Sequence, residues 1–167
     1  MDASGDNAGG TVLGGGDLQG KNPDVRNASR TYVSADSSID ASATQNGDGG
    51  KVVVWSNDDT RFFGSISERG GVQSGIGGFS EVSGKKHLDF HAKKVDLGAT
   101  DGKGGTLLLD PLNIEISTNT ATTNVFAPGV NNTEAFADDP ASNSVFDVTA
   151  ATGSFAGVGN GTTIELQ

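Results

Sequence analysis

Short apolar strands and glycine-rich polar turns alternate along the first two thirds of the chain. Each unit consists of an apolar strand, a turn of Gly, Asp and Asn that ends in Gly-Gly, and a second apolar strand. The four Gly-Gly pairs begin at residues 9, 49, 77 and 104. The last two intervals are nearly equal, and the first is longer because it contains an insertion around residues 22–32. A unit that recurs at this period predicts the coils of a stacked β-structure.

The repeat predicts an all-β fold, a right-handed single-stranded parallel β-helix. In such a solenoid each strand lies about 4.8 Å from its equivalent in the neighbouring coil, so equivalent residues stack. Aligning the repeats places Met1, Ile39, Ile66 and Val95 at one inward position. We expect the glycines at the corners to adopt φ > 0, because glycine does so without a steric penalty. A helical fold is disfavoured because glycine recurs inside every window longer than about ten residues.

The pattern changes after Asp110-Pro111, and the β-helix coils are predicted to span residues 1–117. Residues 118–150 are rich in Thr, Asn and Ala, and this composition predicts a loop or an irregular excursion from the helix. The apolar and polar pattern of residues 145–148 and 164–166 predicts two later strands. We expect residues 151–167 to form a truncated strand that returns to the β-helix. Because neither end carries a polar cap, we expect the chain to be an excerpt of a longer protein.

Composition limits the core and the class of partner. Of the 167 residues, 34% are hydrophobic and 26 are glycine, so we expect a thin core of short strands. The net charge of −10 argues against nucleic acid as a partner, because phosphate recognition needs clustered Lys and Arg. The absence of cysteine excludes disulfides and thiolate metal sites. No segment has the length of a membrane helix, and residues 1–6 lack the features of a signal peptide, so export would need an upstream part.

Several motifs occur together in a characteristic order. They lie at residues 15–20, 27–31, 49–56, 77–84 and 104–114. Over residues 1–117 they resemble the filamentous-haemagglutinin-like exoproteins of two-partner secretion, which are large adhesins. The resemblance implies a β-helical fibre that a Gram-negative bacterium secretes or carries on its surface. It also implies export through an outer-membrane β-barrel transporter. It implies adhesion, biofilm formation or contact-dependent competition. The secretion domain of that family, with its Asn-Pro-Asn-type motif, is missing from these residues.

The sequence 87–91 places His87, Asp89 and His91 on one side of a predicted strand, since alternate residues of a strand share a face. Two imidazoles and a carboxylate could hold Zn²⁺ or Cu²⁺. Alternate side chains on one strand lie about 6.5–7 Å apart, however, which is long for three ligands of one ion. We therefore interpret the segment as the polar outer face of a strand whose Leu88 and Phe90 point inward, and we predict no metal site.

Three other groups of residues are candidates for binding. Acidic corners at Asp48, Asp101 and 57–59 could gather Ca²⁺, although the glycine-rich nonapeptide of calcium-binding β-rolls is not reproduced. Aromatic residues near the strands predict stacked rings in the interior, with an exposed glycan-binding ladder as the alternative; they are Trp55, Phe62, Phe63, Phe79 and Phe90. A basic patch that could contact an anionic polysaccharide consists of Lys85, Lys86, Lys93 and Lys94.

These patterns predict a structural stalk segment of a secreted surface adhesin, with no catalysis and no cofactor. No catalytic, cofactor-binding or metal-binding residue is assigned. The expected partners are the two-partner transporter, reached through the missing N-terminal domain, and glycans or proteins on host or bacterial surfaces. Two alternatives stay open: a polysaccharide-binding or polysaccharide-active β-helix, such as a lyase with carboxylates and a basic residue on one face, and a calcium-binding β-roll.

Overall fold

The computed structural model describes residues 1–117, 144–147 and 154–167. Within these ranges the fold is nearly all β, and its helical content is a 3₁₀ turn at Leu18–Gly20. The strands are β1 (Thr11–Gly14), β2 (Arg30–Val33), β3 (Ser38–Asp40), β4 (Lys51–Ser56), β5 (Asp59–Phe62), β6 (Ser65–Ser67), β7 (Phe79–Gly84), β8 (His87–Phe90), β9 (Lys94–Asp96), β10 (Thr106–Leu109), β11 (Ile114–Ser117), β12 (Ser144–Asp147) and β13 (Thr163–Leu166).

The strands form parallel sheets, and from β1 to β10 consecutive strands belong to different sheets. The largest sheet has the order β1-β4-β7-β10-β13, and two three-stranded sheets have the orders β2-β5-β8 and β3-β6-β9. A two-stranded sheet pairs β11 with β12. Each strand from β1 to β7 pairs in parallel with the strand three places further along the chain, and β10 pairs in the same way with β13. The predicted all-β, parallel character is therefore confirmed.

The register between strands places equivalent repeat positions side by side. Ile39 pairs with Ile66 and Ile66 with Val95, as the repeat alignment predicts. These side chains are buried and belong to the main apolar cluster. A bridge between Asp2 and Asp40 continues the same alignment to Met1. Met1 is nevertheless 69% exposed.

The Gly-Gly pairs also stack, but the positive φ expected at corner glycines does not occur in these pairs. Positive φ occurs instead at other glycines, such as Gly47 and Gly75. The pairs are required by close backbone contact: a Cβ at Gly78 would lie 2.3 Å from the carbonyl oxygen of Gly50, and one at Gly105 would lie 2.0 Å from that of Gly78. Any side chain at these positions would force neighbouring strands apart.

The C-terminal prediction lies partly outside the described residues. Residues 118–143 and 148–153 are among those not described, so the predicted excursion at 118–150 stays a prediction. Near the predicted strand at 145–148, the structure has β12, which pairs in parallel with β11. The predicted strand at 164–166 corresponds to β13, which pairs in register with β10.

The outer face of the five-stranded sheet carries a second buried layer. Val53, Trp55 and Leu108 are buried, although they lie outside the interior cluster. Trp55 is covered by the insertion that follows β1, since a Cβ at Gly16 or Gly20 would lie 2.5 Å from its indole ring. The insertion that lengthens the first repeat therefore folds back over the sheet.

Candidate functional site

The histidine-containing segment has the orientation expected from its alternation. Leu88 and Phe90 are buried, while His87 and Asp89 of β8 are only partly buried. His91 follows the strand, and its Nε2 lies 3.6 Å from Asp89 Oδ1. Asp89 pairs in register with Arg61 of the neighbouring strand β5. The predicted residues are thus brought to one face, beside a guanidinium group.

Burial and neighbouring charges determine the electrostatics of this face. Burial lowers the pKa of His87, and the nearby Asp89 opposes that shift. Burial raises the pKa of Asp89, opposed by the charges of His91 and Arg61. In the described part of the chain, no group of three or more His, Asp or Glu residues is placed to hold a metal ion. Arg61 of the neighbouring strand therefore places a positive charge near Asp89.

The aromatic residues form two stacks. Inside, Phe62 and Phe90 stack with ring centroids 5.9 Å apart. Outside, Phe63 lies between Tyr32 at 5.9 Å and His91 at 6.5 Å. The ring planes of Phe63 and His91 are nearly parallel, with 11° between them. Tyr32 at the end of this row is tilted by 58° from Phe63 and is 43% exposed.

The acidic corners suggested for Ca²⁺ have other partners. Asp48 Oδ1 accepts a hydrogen bond of 2.9 Å from the Ile76 amide. Asp58 forms an ion pair with Lys86, and Asp59 forms one of 3.1 Å with Arg30. Within this corner, each aspartate faces a cationic side chain and not another carboxylate. The corner is therefore organised by ion pairs within the chain.

A groove that sequence reasoning missed lies at the edge of the five-stranded sheet. Its volume is about 380 Å³. The 3₁₀ turn supplies one wall, the end of β4 supplies another, and the segments after β7 and β10 complete it. The lining residues are Gln19, Gly20, Lys21, Trp55, Asn57, Lys85, Asp110 and Leu112. The residues come from four separate parts of the sequence, so no local motif could have predicted the groove.

Asp17 fixes the beginning of the 3₁₀ turn. Its carboxylate accepts hydrogen bonds from Asn22 Nδ2 at 2.8 Å, from Lys51 Nζ at 2.8 Å and from the Leu18 amide at 2.7 Å. The bond from Asn22, followed by those from Lys51 and Leu18, lowers the pKa of Asp17. Asp17 therefore stays ionised and ties the turn to β4 through Lys51.

Gln19 connects the turn to strands that are distant in sequence. It adopts the left-handed conformation, with φ of 52° and ψ of 21°. Its backbone amide donates a hydrogen bond to Glu81 Oε2 at 2.9 Å, and its side-chain Nε2 donates one to Asp110 Oδ2 at 3.1 Å. Lys21 Nζ in turn donates to Gln19 Oε1 at 2.7 Å. These bonds hold one wall of the groove against β7 and the end of β10.

Glu81 and Trp55 lie beneath this wall. Burial raises the pKa of Glu81, and the hydrogen bond from the Gln19 amide opposes that shift. Trp55 is 4% exposed, and its Nε1 has no hydrogen-bond partner among the described residues. Gly20, with φ of 61°, packs directly against that edge of the indole. The groove floor is therefore rigid and lacks room for a side chain at Gly20.

A second buried carboxyl lies inside the fold. Glu68 follows β6 as Ala41 follows β3 and Leu97 follows β9, so it occupies an otherwise apolar interior column. Ser80 Oγ donates to Glu68 Oε2 at 2.8 Å. Burial raises the pKa of Glu68 to about 8, although the hydrogen bonds from Ser80 and the Val52 backbone oppose the shift. The repeat alignment could have shown Glu68 as an exception to its apolar column.

Comparison with known protein families and proteins does not identify the site, which is therefore interpreted from its geometry. The chain matches no protein-family model and no curated protein. In the described ranges, no helix has the length and apolar character needed to cross a membrane.

Proposed function

We propose that the chain is a right-handed parallel β-helix and acts as a stalk segment of a large secreted bacterial surface adhesin. The observation that carries the proposal is the pairing of each strand from β1 to β7 with the strand three places further along the chain. A chain that passes through three sheets in turn and returns to the first beside its previous strand completes one coil. Such coils contact mainly their neighbours, so a fibre can be lengthened by adding coils.

The interior supports this proposal. Apolar residues recur in register, as in the column of Val54, Val82 and Leu109. The ring stack of Phe62 and Phe90 follows the same direction. A fold whose core continues from coil to coil gives mechanical continuity, which a stalk needs. The expected setting is the surface of a Gram-negative bacterium, with export through a two-partner transporter and glycans or proteins as surface partners.

The distribution of charged groups favours a stalk over a polysaccharide lyase. A lyase of this shape needs carboxylates and a basic residue together in one accessible groove. The groove at Trp55 contains Lys21 and Lys85 but a single carboxylate, that of Asp110. None of His87, Asp89 and His91 lines it. Glu68 and Glu81 have no exposed surface in the structure. The acid-base residues are thus divided between a surface face, the interior and a covered layer. The ion pairs at Asp58 and Asp59 similarly weigh against a calcium-binding β-roll.

Export tests the proposal. The 167 residues can be fused behind the secretion domain of a two-partner exoprotein and expressed with its transporter. We expect the fused chain to reach the cell surface, where added protease degrades it in intact cells. A compact globular protein of equal length, fused in the same way, serves as the control that is retained. Retention of the chain inside the cell, with the unfused secretion domain exported normally, would contradict the proposed role.

A further inference from the structure

The groove at Trp55 combines positive charge with hydrogen-bonding groups on an acidic protein. The whole chain has a net charge of −10. The charged residues that line the groove are Lys21, Lys85 and Asp110, which give a net charge of +1 when both amines are protonated. A local excess of positive charge on a strongly acidic surface favours one kind of ligand, an anion.

The groove lysines are available for an anion. Lys85 is exposed and forms no ion pair with the described residues, whereas the adjacent Lys86 is paired with Asp58. Lys21 is exposed, and its ammonium donates to the neutral amide oxygen of Gln19. An ammonium group has three donors, so that bond leaves two for a ligand. The two amines reach the groove from different walls.

The remaining lining residues narrow the class of anion. Gln19, Asn57 and Asp110 offer amide and carboxylate groups, which suit hydroxyls. Leu112 is 73% exposed at the rim and offers an apolar contact. A nucleotide base would need an open aromatic face, but Trp55 is almost completely covered. A fatty acid would need a deep apolar cavity. The volume of about 380 Å³ lies near the lower end of the range for small-ligand sites, roughly 300–1,000 Å³, which suits one or two sugar residues.

We propose that this groove binds a uronic acid residue of an acidic oligosaccharide. Lys21 and Lys85 bind the sugar carboxylate, Asn57 and Asp110 bind ring hydroxyls, and Leu112 packs against a C–H face. The site is held open by Gln19, whose bonds to Glu81 and Asp110 fix one wall. The proposal depends on the geometry of the groove and not on export or on the length of a fibre, so it can fail independently of the stalk function.

The test uses digalacturonate as the probe and the intact 167-residue chain. Trp55 is the only tryptophan of the chain, so its fluorescence reports on the groove directly. Affinity is measured by fluorescence titration and by calorimetry. We expect saturable binding of digalacturonate, with its dimethyl ester, which lacks the charge, binding at least about tenfold more weakly.

Matched lysine variants assign the site. K21Q and K85Q are each expected to weaken digalacturonate binding by about tenfold or more. K103Q removes the same charge from an exposed turn outside the groove and should bind like the wild type. Circular dichroism checks that each variant is folded. The proposal is overturned if folded wild type gives no saturable signal, if the ester binds as tightly as the acid, or if all three variants lose affinity equally. Tighter binding of an acidic peptide than of digalacturonate would also overturn it.

Discussion

Replacing Glu68 with glutamine tests how a carboxyl is accommodated in the interior of this fold. The substitution keeps the size of the side chain and a polar partner for Ser80 Oγ, which lies 2.8 Å from Glu68 Oε2. It removes the ionisable carboxyl group, so the side chain at position 68 no longer titrates. Because burial raises the pKa of Glu68 from 4.5 to about 8, the folded state holds a proton that the unfolded state releases. The wild type is therefore expected to lose stability as pH rises, whereas Glu68→Gln is not subject to this contribution.

The magnitude follows from the shift in pKa. Stability contributed by neutral Glu68 is complete below pH 4.5, declines by about 1.4 kcal/mol per pH unit between 4.5 and 8, and is constant above that range. The total loss is roughly 5 kcal/mol. Near pH 5, the variant should differ from the wild type by no more than about 1–2 kcal/mol. At pH 9 the variant should be the more stable protein by several kcal/mol.

The assay is urea unfolding, followed by Trp55 fluorescence and circular dichroism at pH 5, 7 and 9. Other titrating groups, including His87 and Asp89, are present in both proteins and cancel in the difference between them. The reasoning is refuted if the free energies of unfolding of wild type and Glu68→Gln change in parallel with pH. A difference that grows as pH falls would refute it as well, because it would have the opposite sign.

Two further substitutions test the packing between neighbouring strands. Gly105→Ala should destabilise the fold by more than about 2 kcal/mol, since its Cβ would meet the Gly78 carbonyl oxygen at 2.0 Å; Gly14→Ala, whose nearest contact would be 3.6 Å, is the control, and equal urea midpoints would argue against the stacking. Phe62→Ala should cost about 3–5 kcal/mol because it empties an interior ring position, whereas Phe63→Ala, on the outer face, should cost clearly less in the same unfolding assay.

The repeating part of the fold could be predicted from the sequence because its determinants are local. The alternation around Leu88 and Phe90 gives their inward orientation, and alignment of the apolar strands of the repeats gives the register of Ile39, Ile66 and Val95. Positive φ was predicted for the corner glycines and occurs at Gly47 and Gly75, whereas the Gly-Gly pairs are required by close approach between neighbouring strands. The need for glycine in these pairs depends on the distance between neighbouring backbones. The sequence of a single repeat does not give that distance.

The groove and the buried carboxyls could not be predicted in the same way. Gln19 and Asp110 are separated by 91 positions and meet only because the insertion after β1 folds over the sheet. Trp55 was predicted to lie among the interior rings, but it lies outside the interior cluster, and its burial depends on that same insertion. Glu68 is buried because its neighbours in the column are apolar, although glutamate alone predicts exposure. Each feature depends on contacts between coils, which sequence patterns within one coil do not specify.

Engineered disulfides test the central claim, the stacking of one coil on the next, most directly. The chain has no cysteine, so each introduced pair is the only one present. Ser38 pairs in register with Ser65, and Ser65 with Lys94, on one outward column. Neighbouring strands lie about 4.8 Å apart, within disulfide range, whereas positions two strands apart lie at about 9.6 Å and outside it. After mild oxidation, the account predicts intramolecular disulfides in Ser38→Cys/Ser65→Cys and Ser65→Cys/Lys94→Cys, and none in Ser38→Cys/Lys94→Cys. Equal oxidation of all three, or oxidation of the last pair alone, would contradict the stacked arrangement.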